Sequence, residues 1–200
     1  MIPILILAAG KSSRMRGADK LAQIVQGQPL LRRIAAQAAA VAPTFVALHH
    51  EADRRAALID GLPVTPMLVP EAAEGQSATL RAAVARLPAC DAFLVVLADL
   101  PDITGADMAA VIAARAAHPD ALIWRGATPE GKPGHPILFE GSLRHRFATL
   151  TGDDGGRALV APLSDRTHLV RFADDRARLD LDTPQEWAAW RLRKPRDSKG

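Results

Sequence analysis

"ILILAAGKSSRM", residues 4–15, decides how the rest of the chain is read. Its first four residues are branched and apolar without alternation, as expected of a strand covered on both faces inside a parallel sheet. Residues 8–14 are small, polar or basic instead. In open α/β sheets, ligands bind beyond the carboxyl ends of the strands, where loops and helix N-termini converge. Successive small residues there let backbone amides turn inward as an anion-binding nest, and Lys11, Arg14 and Lys20 surround it with positive charge. Residues 8–20 therefore read as a phosphate loop. The loop lacks G-x-G-x-x-G, and Gly10 and Lys20 do not fit G-x-x-x-x-G-K-[ST], which weighs against a dinucleotide oxidoreductase and a mononucleotide kinase.

The same plan continues along the chain. Runs of Ile, Leu and Val predict strands near 2–7, 44–49, 64–69 and 92–97, alternating with helical patterns near 29–41, 52–59, 77–87 and 104–117. The expected architecture is α/β with a mostly parallel central sheet. Beyond Arg125 the texture changes to the Gly- and Pro-rich "RGATPEGKPGHPILF", with short strands expected later at 168–172 and 178–182 and a closing helix in "TPQEWAAWRLR". Neither a repeat nor a linker divides the chain. It reads as one domain over 1–192 with a disordered basic tail at 193–200.

Composition narrows the function. The 200 residues are 48% hydrophobic and 4% aromatic, and the net charge of +3 comes from 25 basic against 22 acidic residues. Part of that small excess lies in the tail "RLRKPRDSKG", so no nucleic-acid partner is expected. A single cysteine, Cys90, can form no internal disulfide and points to a reducing compartment, the cytoplasm. The N-terminal apolar run has no basic segment before it and breaks at Gly10, so neither a signal peptide nor a membrane span is expected.

Two acidic lips stand out. In "LVVLADLPD", residues 94–102, a buried strand ends at Asp99, a carboxylate costly to desolvate unless it meets a cation, and hence a magnesium candidate. Asp102 is read as the cap of the next helix. In "RLDLDTPQEW", residues 178–187, Asp180 and Asp182 alternate with leucines and would share one face of a strand. Asp182 has two readings, metal ligand or helix cap, with Thr183 the other candidate cap and Pro184 in the first turn. With Asp99 as a partner, ligation is preferred.

"LAAGKSSRM", "DKL", "GQPLLRR", "EGQSATLRAAV", "LADLPDIT", "GHPILF", "LTGDDGGRAL" and "DLDTPQEW" together resemble the molybdenum cofactor cytidylyltransferases, within the larger MobA-like nucleotidyltransferase group. The resemblance extends to about Arg191. It implies a single-domain Rossmann-like nucleotidyltransferase fold whose first loop wraps a nucleoside triphosphate. By position, Leu7, Ala8, Ala9 and Gly10 would shape the base and ribose pocket, with Lys11 and Ser12 beside them. Arg14 and Lys20 would hold the triphosphate, and Asp99 would bind Mg²⁺ with Asp182 and Asp180 on the metal side. One departure is Arg16, where this group often has glycine.

The implied reaction joins CMP from CTP to the terminal phosphate of molybdopterin or its molybdenum-loaded form. Such an acceptor is already ionised, so neither a protein nucleophile nor a general base is needed. On the acceptor side the resemblance supports Gly75, Gln76, Ser77 and Thr79 at a helix start, with Arg81 one turn in, and His135 entering a strand. Ser77 is equally readable as an ordinary helix cap, and Asp153 or Asp154 as the cap of a later helix. A molybdoenzyme or its chaperone would be a transient partner. Two rival classes stay open: a transferase using GTP with molybdopterin or acting on a sugar phosphate, and a non-catalytic nucleotide-binding protein.

Overall fold

Ile4, Leu5 and Ile6 are fully buried, and they divide by parity: Ile4 and Ile6 enter one apolar cluster and Leu5 the other. A strand covered on both sides cannot alternate polar with apolar, which explains the unbroken run. The computed structural model describes residues 1–10, 13–15, 17–49, 53–152 and 156–193. Its elements, in chain order, are β1 (Ile4–Leu7), β2 (Ile24–Val25), β3 (Gln28–Pro29), α1 (Leu30–Ala39), β4 (Thr44–Leu48), α2 (Asp53–Leu58), β5 (Val64–Leu68) and α3 (Gln76–Arg86). Next come β6 (Ala92–Leu97), α4 (Gly105–Ala117), β7 (Ile123–Ala127), β8 (Pro133–Glu140), α5 (Arg144–Phe147), α6 (Arg157–Val160), β9 (Thr167–Arg171) and α7 (Pro184–Arg193).

Seven strands form one sheet in the order β5-β4-β1-β6-β8-β7-β9. All its pairings are parallel except the two made by β8. One apolar layer holds Leu30, Leu31 and Ile34 of α1, Met108 and Val111 of α4, and Trp187 and Trp190 of α7. The other holds Leu80, Ala83 and Val84 of α3 with Phe93, Phe139 and Phe147. Phe147 meets Phe139 edge-on at 5.0 Å and Phe93 at 5.3 Å. This is a single-domain α/β fold with a mostly parallel sheet covered on both faces.

From β1 the chain moves outward to β4 and β5, then crosses back to β6 on the other side of β1, so the strand order reverses between β1 and β6. That crevice is where such sheets bind ligands. Leu7 is level with Leu97, and the Ala98 amide donates to the Leu7 carbonyl at 3.2 Å. Residues 8–10 and Asp99 therefore leave the sheet side by side. The antiparallel β8 then carries its first residues to the same end, since Ile137 pairs with Val95 and Ala92 with Glu140.

Four expectations need correction. No strand forms at 178–182: a 3₁₀ turn over Asp175–Arg178 leads into irregular chain, because Leu179 and Leu181 pack inward while no neighbouring strand offers a ladder. His135 lies within β8, which begins at Pro133, rather than in a loop ahead of it. Asp102 caps no helix: Thr104 and Asp107 form a reciprocal capping box at α4, while Asp102 accepts from the Trp190 indole at 3.1 Å. Arg193, expected in the disordered tail, is the last residue of α7, and 194–200 lie outside the described residues. Among the described residues, no helix is long and apolar enough to cross a membrane.

Gly134 marks the tightest approach. A Cβ there would lie 2.1 Å from the Ala177 carbonyl oxygen, so only glycine lets the 175–178 turn close onto β8. Gly134→Ala is expected to cost about 2 kcal/mol, inside the range for overpacking a core, read as a lower denaturant midpoint with unchanged slope.

Candidate active site

At the β1/β6 crevice lies a cavity of about 510 Å³. Leu7, Ala8, Ala9 and Gly10 form one side, Ala72, Ala73, Gly75, Gln76 and Thr79 another, and Lys20, Asp99, Asp180 and Asp182 supply its charge. The Lys20 ammonium donates to Asp99 Oδ2 at 2.6 Å and to Asp182 Oδ1 at 2.7 Å. Arg14, mostly exposed, donates to Asp182 Oδ2 at 2.7 Å. Two cations and two carboxylates thus interlock at the cavity.

Each group is held by the surrounding chain. Asp19 caps the 3₁₀ turn that carries Lys20, accepting from the Leu21 amide at 3.0 Å. Arg55 of α2 grips both oxygens of Asp19, at 2.8 and 2.9 Å, and also donates to the Ala8 carbonyl. One guanidinium therefore ties the two limbs of the loop after β1 together. No local sequence signal pairs positions 19 and 55; the contact exists because β4 lies beside β1 and delivers α2 over the loop. On the Asp99 side, Arg33 donates to the Pro101 and Ile103 carbonyls at 3.0 and 3.3 Å, fixing the loop beyond β6.

The two readings of Asp182 are now separated. Glu186 accepts from the amides of Asp182 and Thr183, both at 2.8 Å, and its own amide donates to the Thr183 hydroxyl at 3.2 Å. Thr183 and Glu186 make the capping box of α7, which leaves the Asp182 carboxylate for the cavity. Asp180 also lines it, although no strand aligns the pair.

These contacts set the electrostatics. Burial pulls the Lys20 ammonium down, but the charges of Asp99 and Asp182 and its bonds to them outweigh that, and the net direction is up from 10.5. Asp182 is held below the usual carboxylate value, chiefly by the hydrogen bond from Lys20. Asp180 moves the other way, raised first by desolvation and then by Asp99 and Asp182. At neutral pH the Lys20–Asp182 pair is therefore ionised.

One atom is left over. Asp99 Oδ1 is buried with no hydrogen-bond partner among the described residues, a costly condition that a hard cation would relieve. No group of three or more His, Cys, Asp or Glu among the described residues is arranged as a cage for a metal. The donor set fits an ion such as Mg²⁺ that takes one or two carboxylates from the protein and the remainder from bound phosphates and water.

Other expected residues fall in different places. Lys11, Ser12, Arg16, Asp153 and Asp154 lie outside the described residues. Gly75 is the N-cap of α3, with φ of 117° that suits glycine, so Ser77 is not the cap; it is buried in the first turn and borders neither the first cavity nor the one beside His135. Thr79 donates its hydroxyl to the Gly75 carbonyl at 2.9 Å. Arg81 turns away, donating to the Leu150 carbonyl at 2.7 Å. His135 lines a second cavity that meets the first at Leu7 and Gln76.

Residues 4–169 match the model of the MobA-like NTP transferase domain. The chain belongs to that family. It is 33% identical over 198 residues to a molybdenum cofactor guanylyltransferase of Burkholderia vietnamiensis (strain G4 / LMG 22486), spanning 92% of this chain and 93% of that protein. A protein of the same name from Burkholderia orbicola (strain MC0-3) is 32% identical, with the same coverage. Among solved structures, Rv0371c from Mycobacterium tuberculosis H37Rv superposes with a TM-score of 0.72 at 27% identity, covering 95% of this chain and 97% of that one. A nucleotidyl transferase from Methanothermobacter thermautotroptrophicus reaches 0.78 at 20% identity over 96% of each chain, a likeness of fold. This MobA-like chain is a nucleotidyltransferase. Asp180 and Asp182 lie beyond the span of the family match, so their place at the cavity comes from the tertiary structure.

Two outcomes are expected. Lys20→Ala removes the shared cation from Asp99 and Asp182; nucleoside triphosphate affinity should fall at least about tenfold by calorimetry, and stability by about 2 kcal/mol, less than for a fully buried pair. His135 is pushed down to about 4, first by desolvation and then by the Arg125 charge. Below its ordinary 6.5 the unfolded chain takes up a proton that the folded chain refuses, so stability should fall as pH drops from 6.5 to about 4 and level off below that. In His135→Gln the difference in Tm between pH 7 and pH 4.5 should be smaller than in the unmodified protein.

Proposed function

We propose that the chain transfers a nucleoside monophosphate from a nucleoside triphosphate to the terminal phosphate of a molybdopterin-type acceptor, with release of pyrophosphate. The observation that carries the reading is the Lys20 ammonium set between Asp99 and Asp182 at the β1/β6 crevice. A triphosphate entering beside residues 8–10 would meet the backbone of Ala9 and Gly10 on one side and Lys20 on the other, with Arg14 at the rim beside Asp182. These groups hold the leaving pyrophosphate and offset the charge that builds on it. Asp99 would hold Mg²⁺ through its unpartnered oxygen, with Asp182 and Asp180 nearby; the ion supplies charge neutralisation on the phosphates. A bound triphosphate would compete with Asp99 and Asp182 for the Lys20 ammonium.

For the donor base, GTP is the first reading, supported by the two relatives named molybdenum cofactor guanylyltransferase. CTP is the second, favoured by the resemblance of "EGQSATLR", "GHPILF" and "LTGDDGGR" to the cytidylyltransferases. A cavity of about 510 Å³ walled by Ala72, Ala73 and Gly75 admits either base. The lone Cys90 suits a reducing compartment such as the cytoplasm, where the dinucleotide would pass to a molybdoenzyme or its chaperone.

The test is pyrophosphate release at fixed Mg²⁺, with GTP or CTP and with or without molybdopterin. Release only when molybdopterin is present supports the acceptor, and the larger kcat/KM assigns the base. Turnover with sugar phosphates alone overturns the pterin reading. Asp99→Asn should lower kcat by about a hundredfold or more while lowering Tm less than Lys20→Ala does, since Asp182 still pairs with Lys20.

A further inference from the structure

The second cavity, also of about 510 Å³, opens from the first at Leu7 and Gln76. It is lined on one side by Phe139 and Phe147 and carries Arg125, Arg157 and Arg178, with neither Asp nor Glu in its wall among the described residues. We propose that this cavity receives the acceptor and that Arg125, with Arg178 beside it, clamps the acceptor's attacking phosphate. The inference deepens the nucleotidyl-transfer reading and rests on it.

Three observations carry it. The cations of the first cavity are already committed, since Lys20 and Arg14 face Asp99 and Asp182 and stand ready for the triphosphate. A second phosphate needs its own. Arg125 and Arg178 supply them: Arg125 Nε donates to the Gly134 carbonyl at 3.0 Å and Arg178 to the Pro133 carbonyl at 3.0 Å. Each is thereby anchored to the start of β8. Neither forms a salt bridge among the described residues.

Second, the two guanidinium groups oppose one another. Burial first and the Arg178 charge second bring Arg125 down to about 10. Like charges gathered at a cavity whose described wall holds no carboxylate are relieved by a bound anion. A phosphate dianion suits two planar forks better than a single carboxylate does.

Third, the place is right. His135, on the same cavity, feels the charges of both Arg125 and Asp99, so the clamp and the strand lip act on one ring from the two cavities. His135 is uncharged at neutral pH, which leaves the arginines as the charged groups that hold the phosphate. An oxygen of the clamped phosphate then bonds to the α-phosphorus while the bond from that phosphorus to the β-bridging oxygen breaks. The electron pair leaves with pyrophosphate, and the dianionic attacking group releases no proton.

The test uses the full chain loaded with a non-hydrolysable α,β-methylene nucleoside triphosphate, so that inorganic phosphate has only the second cavity to fill. Phosphate affinity should fall at least about tenfold in Arg125→Gln and about threefold in Arg178→Gln, with nucleotide affinity unchanged in both. Arg178 is exposed, so its variant keeps the test decisive should Arg125→Gln fail to fold. Unchanged phosphate affinity in the folded variants overturns the clamp. With molybdopterin as acceptor, the variants should raise the acceptor KM and leave the nucleotide KM alone; turnover with an unaltered acceptor KM discards the clamp and keeps the transferase reading. Phosphate binding that depends on Arg125, in a protein that does not turn over molybdopterin, keeps the clamp and discards that acceptor.

Discussion

The ammonium of Lys20, shared between Asp99 and Asp182, is the contact on which the site depends. It joins positions 79 and 162 residues apart, so three separate segments meet at one charge. Two carboxylates brought this close would repel without it. The side chain of Lys20 is only 13% exposed and that of Asp99 19%, which keeps water from screening the attraction. The same low screening serves a phosphoryl transfer, where preorganised charge acts on charge that develops during the reaction.

That contact is held from behind by groups that never reach the cavity. Arg55 fixes Asp19, Asp19 caps the turn bearing Lys20, and Arg33 fixes the loop beyond Asp99. On the third segment Glu186 and Thr183 satisfy the start of α7, so Asp182 is spared that duty. The β8 reversal builds the other half of the crevice. Because β8 runs against its neighbours, its first residues arrive beside the strand lips, and the Ala177 carbonyl packed against Gly134 brings Arg178 and then Asp180 after it.

Much of this was legible in the residues. The unbroken apolar run at 4–7, the small and basic loop after it and the strand ending at Asp99 each reflect a local requirement: burial on both faces, room for an anion, a carboxylate at a lip. The alternating strands and helices gave the parallel half of the sheet. Where prediction failed, the cause was a contact distant in sequence. "RLDLD" alternates as a strand does, yet it has no ladder partner; its leucines alternate because Leu181 packs beneath the lip, with its amide 3.4 Å from the Asp99 carbonyl. Asp102 looked like a cap because it precedes a helix, but Thr104 with Asp107 satisfies the same amides locally and Trp190 claims the carboxylate.

By itself, then, the sequence determined the class of fold, the small and basic loop after β1 and the acidic residues at the strand lips, since each of these is set by hydrophobic pattern or by the chemistry of neighbouring residues. The tertiary structure decided which charges meet. Lys20 lies between Asp99 and Asp182, Arg55 grips Asp19, and Arg125 stands beside Arg178 because the strand order and the reversal of β8 bring their segments together. Charge pairing falls off with distance in space and carries no period along the chain, so no local pattern announces it.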